Sequence, residues 1–63
     1  MTWYIFAKGL NSKSAYDKKF SEMASFSTER QAEAFLDAYK LEEVREHGKL
    51  VTAFKIIPVD STE

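Results

Sequence analysis

Between Thr2 and Lys8 the chain reads Trp3-Tyr4-Ile5-Phe6-Ala7, apolar at every position. An extended backbone sends Trp3, Ile5 and Ala7 to one face and Tyr4 and Phe6 to the other. A strand of this kind belongs at the centre of a sheet, either covered on both faces or with its second face serving as an interface. Gly9 to Asp17 is polar and reads as a loop. The stretch from Lys18 to Ser27 carries two patterns. Tyr16, Phe20, Met23 and Ala24 fit helical spacing, with Ser14 and Asp17 placed as a capping box. Against this, Phe20, Ala24 and Phe26 share one face of a strand, and Ser21, Ser25 and Ser27 are poor helix-interior residues. A strand is the favoured reading, with a helix over residues 14–26 as the alternative.

At Thr28 the period changes. Thr28 is a good N-cap that makes a capping box with Gln31 at the third helical position, Glu29 lies in the first turn, and the helix is expected to run from there to His47-Gly48, where the glycine closes it. Thr28, Ala32, Phe35, Leu36 and Tyr39 form one stripe, which is the sheet-facing side. The same stripe continues as Glu42, Glu43 and Glu46. Unpaired acids do not enter a small core, so the helix is expected to project beyond the sheet, bend or end early. One version has a break near Lys40 that turns Leu41 and Val44 inward. The other leaves Ala34, Ala38 and Leu41, extended by Val44, as a lateral apolar ridge for a partner. Lys49 to Val59 is the last strand, stopped by Pro58, and Asp60 to Glu63 is a polar tail expected to be disordered.

Strand, strand, helix, strand, with the first two antiparallel and a right-handed crossover through the helix, gives sheet order 2-1-3. The expected fold is therefore a single small two-layer α+β domain spanning 1–63. Its ββαβ order forms a three-stranded antiparallel or mixed sheet, with one long helix on one face. Lys18, Lys19 and Pro58 then fall on edge strands, where they discourage unwanted pairing. One helix covers only one sheet face, so the other exposes aromatic or branched residues unless the Gly9 to Asp17 loop folds over it with Leu10 and Tyr16 as plugs.

Size sharpens this. At 63 residues the chain is near the lower limit for a single core, and without cysteine it has neither a disulfide nor a Cys-ligated zinc site to staple it. Good packing and association with another chain are the remaining stabilisers, nine aromatics favour both, and a homodimer is expected. Charge is unevenly placed: Lys8, Lys13, Lys18 and Lys19 against Asp17 leave residues 1–20 at +3. Seven acids against Arg30, Lys40 and Arg45 leave 21–47 at −4. The amino-terminal apolar run breaks at Lys8 without the leader or cleavage site of a signal peptide, and no run approaches membrane-spanning length, so a cytoplasmic setting without membrane contact is expected.

Enzyme chemistry finds little footing. Gly9 and Gly48 do not make a phosphate loop, and His47 is a lone histidine at a helix end, where its cationic form suits the dipole. Glu42, Glu43 and Glu46 lack a carbonyl-supplying loop to complete a cation site. No catalytic residue, metal or cofactor is assigned, and the chain is expected not to be an enzyme.

Ile5-Phe6-Ala7-Lys8-Gly9-Leu10 resembles the first-strand motif of RNA-recognition domains, in which an aromatic stacks a base. The companion motif is absent, since Gly48-Lys49-Leu50 has the wrong order, and the chain is too short for that family's two-helix fold. The resemblance implies a single-stranded nucleic-acid binder using Tyr4, Phe6, Lys8, Lys13, Lys18 and Lys19. Ser25-Phe26-Ser27-Thr28, with Ala32 downstream, also resembles the strand-to-helix step of peptidoglycan-binding repeat domains.

The leading expectation is a non-catalytic protein-interaction module that self-associates. By analogy of size and architecture with phage and mobile-element accessory proteins, it would bind and inhibit a host protein. The residues expected to meet a partner are Tyr4, Phe6, Ala34, Ala38, Leu41, Glu42, Val44 and Glu46. A small nucleic-acid binder is the alternative.

Overall fold

In the computed structural model, which describes residues 1–60, the apolar run Thr2–Gly9 is strand β1, followed by β2 (Ser21–Phe26), α1 (Glu29–His47) and β3 (Thr52–Val59). The sheet order is β2-β1-β3, with β1 antiparallel to both neighbours and α1 packed on one face. This is the expected α+β arrangement, with every pairing antiparallel. The tail beyond Asp60 lies outside the described residues.

The helix covers the face bearing Trp3, Ile5 and Ala7. Ile5, Ala32 and Leu36 form the buried cluster, with Trp3, Met23, Phe26, Phe54 and Ile56 packed against it. Ala32, fully buried, lets the helix backbone approach the sheet. An arc of rings then ties the helix to both edge strands. Phe26 of β2 meets Phe35 at 5.3 Å between centroids, Phe35 is 6.4 Å from Tyr39, and Tyr39 meets Phe54 of β3 edge-on at 5.5 Å. Such pairs add to simple area burial.

The caps form as the sequence predicts, with one difference. The Thr28 hydroxyl accepts from the Gln31 N–H at 3.2 Å, and Gly48 adopts φ 80° with its N–H donating to the Val44 carbonyl at 2.7 Å. The Gln31 side chain, however, accepts from the Ser27 hydroxyl at 3.1 Å instead of reaching back to the Thr28 N–H. The capping box is half made, and the residue before the cap takes the other half.

Residues 14–26 resolve toward the strand reading, but β2 begins at Ser21 and not at Lys18. Trp3 pairs with Phe26 and Ile5 with Ala24, whereas Phe6 pairs with Glu22. Met23 is therefore an extra residue, a bulge that inverts the alternation on its amino-terminal side. Ala24 and Phe26 keep to the helix face, while Phe20 passes to the opposite face. Lys18 and Lys19 precede the strand. β3 likewise starts at Thr52 and not at Lys49.

The helix neither breaks near Lys40 nor ends early: it continues through His47, and Leu41 and Val44 stay outside, 60% and 42% exposed. The loop after β1 does not cover the open sheet face. Leu10 is exposed, and Ser14 bonds Thr52, which lies on the helix side. Gly9 permits this return. A Cβ there would collide with the Tyr16 carbonyl and crowd Ser14, and the Gly9 N–H donates to the Asp17 carbonyl at 2.6 Å.

Candidate interaction surface

The helix runs on past Tyr39 because one of its acids finds partners. Glu43 is 7% exposed, and its two carboxylate oxygens accept from the Val51 N–H and the Thr52 hydroxyl, each at 2.9 Å. Since the Thr52 proton is committed to Glu43, the Ser14 hydroxyl donates to Thr52 Oγ1 at 2.6 Å, and the Tyr16 N–H donates to Ser14 Oγ at 3.2 Å. The relay joins loop, strand and helix, and its members orient one another in the same sense. Among the described residues no buried side-chain polar atom is left without a partner.

Beside this relay is a groove of about 280 Å³ lined by Lys13, Ala15, Tyr39, Glu42, Glu43, Glu46 and His47. Among the described residues no group of acids and histidines is gathered so as to hold a metal ion. His47 Nε2 lies 3.0 Å from the exposed Glu46 carboxylate, a surface pair of little energetic weight. Burial pushes the Tyr39 phenol above its ordinary range, with Tyr16, Glu43 and Glu46 adding in the same direction.

The opposite sheet face is built by alternation. The register sets Tyr4 across from Ile57, Phe6 across from Lys55, Lys8 across from Ala53 and Thr2 across from Val59. On the β2 side Ser25 and Glu22 stand across from Tyr4 and Phe6 and form a polar rim. Tyr4 and Phe6 rings lie 6.4 Å apart. Phe20, delivered to this face by the bulge, lies under two ammonium groups: Lys55 Nζ at 4.2 Å from its centroid and Lys8 Nζ at 5.1 Å. Lys55 is also 5.9 Å from Phe6. Neither lysine is within salt-bridge distance of a carboxylate among the described residues, so the rings are their partners.

The residues predicted to meet a partner thus divide among three places. Tyr4 and Phe6 lie on the open sheet face. Ala34, Ala38, Leu41 and Val44 are exposed on the back of α1, where helical geometry sets Arg30, Asp37 and Arg45 among them and breaks the apolar ridge. Glu42 and Glu46 line the groove. Of the lysines proposed for nucleic acid, Lys8 joins Phe6 on the sheet, whereas Lys13 sits in the groove beside Glu42 and Glu46, and Lys18 and Lys19 are exposed ahead of β2.

Sequence reading missed Phe20 and Lys55 on the sheet face and Glu43 in the interior. Strict alternation from Ala53 points to Lys55, but nothing in the sequence announces the bulge that delivers Phe20. Glu43, seven residues after Leu36, lies on the core stripe, and its signal is position alone. No protein-family model matches the chain, and neither a curated protein nor a solved structure matches it. Among the described residues no helix is long and apolar enough to cross a membrane.

Two outcomes follow from the relay and its neighbour. Glu43→Ala strands the Val51 N–H and the Thr52 hydroxyl and lowers unfolding free energy in urea by about 2–3 kcal/mol, with Glu43→Gln losing less. A loss below about 0.5 kcal/mol in Glu43→Ala contradicts the relay, because that is what a surface substitution costs. For Tyr39, the raised phenol means that the unfolded chain gives up this proton first. Stability is therefore complete below the ordinary tyrosine value of about 10 and falls as pH rises from there through the higher folded value. Tyr39→Phe flattens that decline in alkaline unfolding measurements.

Proposed function

We propose that this chain is a non-catalytic protein-interaction module whose working surface is the open face of the sheet. One observation carries the reading. Tyr4, Phe6, Phe20, Ile57 and Val59 share a face that neither the helix nor the loop covers; its two cations, Lys8 and Lys55, lie over the rings, and Glu22 stands at its rim. An aromatic and aliphatic centre with a polar rim is the anatomy of a protein-binding patch. The two lysines favour a partner that brings carboxylates to the edge of an apolar contact. The back of α1 is the weaker candidate, its apolar ridge being interrupted by charge. Binding of this kind acts by occluding a surface, which is how a small cytoplasmic accessory protein inhibits a larger host protein. The cysteine-free composition agrees with a reducing setting.

The Lys8–Phe20–Lys55–Phe6 cluster favours a second reading, a single-stranded nucleic acid whose bases stack on the rings while phosphates meet the ammonium groups. Lys13 does not contribute, and the acidic helix lies on the other side of the sheet.

The two readings separate in one experiment. Immobilised wild-type chain is expected to retain a specific protein from nuclease-treated lysate of the source cell, and Phe6→Ser and Ile57→Ser lose it while keeping their circular dichroism. Equal retention by both variants moves the interface off the sheet. Salt-sensitive binding of single-stranded RNA or DNA, lost in Phe6→Ser and in Lys55→Ala, selects the nucleic-acid reading instead.

A further inference from the structure

The two edges of the sheet are not equally protected. β2 is six residues long and kinked by the Met23 bulge, a common device for blunting an edge. β3 pairs with β1 in unbroken register from Val59 to Thr52 and leaves its outer side unpaired.

Which backbone groups point outward follows from two bonds. The Gly9 N–H donates toward the β2 side, to Asp17, and the Leu10 N–H donates to the Val51 carbonyl on the β3 side at 2.8 Å. Even-numbered residues of β1 therefore bond β3, and their partners are Ala53, Lys55, Ile57 and Val59. Thr52, Phe54, Ile56 and Pro58 present their backbone groups to the outside. Pro58 belongs to this outward set, so its missing N–H takes nothing from the pairing with β1 but removes one donor from the free edge. The outer edge thus offers three donors, from Thr52, Phe54 and Ile56. The charge that would guard such an edge is Lys55, the one charged residue in β3. Its ammonium instead crosses β1 to reach Phe20.

We infer that β3 is the seam of a homodimer, pairing antiparallel with β3 of a second copy about a dyad at Phe54. In this register Thr52 pairs with Ile56 of the second copy, Phe54 with Phe54 of the second copy, and Ile56 with Thr52 of the second copy. All three outward donors find carbonyls and Pro58 lies outside the paired segment. Lys55 stands across from Ala53 of the second copy. Moving the seam so that Phe54 meets Ile56 sets Lys55 against Lys55 and wastes a carbonyl opposite Pro58, so charge and hydrogen bonding select the first register. The product is a six-stranded sheet, β2-β1-β3-β3-β1-β2, with both helices on one side and the two aromatic faces merged into one surface on the other. This seam uses backbone groups at the edge and does not depend on what the open face binds.

Light scattering during size-exclusion chromatography is expected to give twice the chain mass at high concentration, falling to the chain mass on dilution. Hydrogen exchange by NMR is expected to show the amides of Thr52, Phe54 and Ile56 gaining protection with concentration, while the Ser25 amide on the opposite edge does not. Ile56→Pro removes an outward donor and abolishes the dimer. Since that variant also trims core packing, Ala53→Lys serves beside it: it faces Lys55 of the second copy at both ends of the seam and raises the dissociation constant about two- to tenfold. Ala53→Glu lowers it. A chain that stays monomeric at every concentration overturns the inference, as does a dimer whose three amides remain unprotected or that ignores both Ala53 variants. Failure of the wild-type chain to retain any protein from the lysate, with the dimer intact, counts against the protein-binding role alone.

Discussion

The carboxylate of Glu43 decides how this small domain is put together. By accepting from Val51 and Thr52 at the start of β3 it lets an acidic helix keep its stripe on the sheet for one further turn. Through Thr52 and Ser14 it also draws the β1–β2 loop to the helix side. A loop anchored there is not available to cover the other face. The open aromatic surface is thus a consequence of where one buried acid found its donors.

That surface matters because the core is slight. Among the described residues the buried apolar side chains are Ile5, Ala7, Ala32, Leu36 and Val51, two of them alanines. A domain this small stands near the limit of what one core supports. It nonetheless leaves Tyr4, Phe6, Phe20 and Ile57 on the solvent side, covered in part by the stems and ammonium groups of two lysines. In the free chain the Lys55 ammonium lies over Phe20 and near Phe6, and that of Lys8 lies over Phe20.

Much of this fold was legible in the residues. The doubly apolar run from Trp3 to Ala7 could only be a central strand, and Thr28 and Gly48 bracket the helix because their chemistry suits the two ends and little else. What stayed hidden depended on tertiary partners. A carboxylate on a core stripe reads as a conflict until the Val51 N–H and the Thr52 hydroxyl are known to face it. The bulge at Met23 has no local signature, so the parity of Phe20 could not be read from alternation. For the site, Tyr4 and Phe6 were visible as the second face of β1. Lys13 and Lys8 look equivalent in sequence, yet the loop carries Lys13 to the groove.

The face bearing Tyr4, Phe6 and Ile57, if it is kept for a partner as proposed and is not an unfinished part of the core, carries little of the domain's stability. Urea unfolding of Phe6→Thr and Ile57→Thr, at concentrations where the chain is monomeric, separates the two cases when set beside Ile5→Ala. Ile5→Ala is predicted to cost about 2–5 kcal/mol, and the two threonine variants to stay within about 1 kcal/mol of wild type, since threonine keeps the strand and both side chains are only half-buried, on the face the helix leaves uncovered. Losses in the threonine variants as large as that of Ile5→Ala would show the face to be part of the core and not a surface kept for a partner.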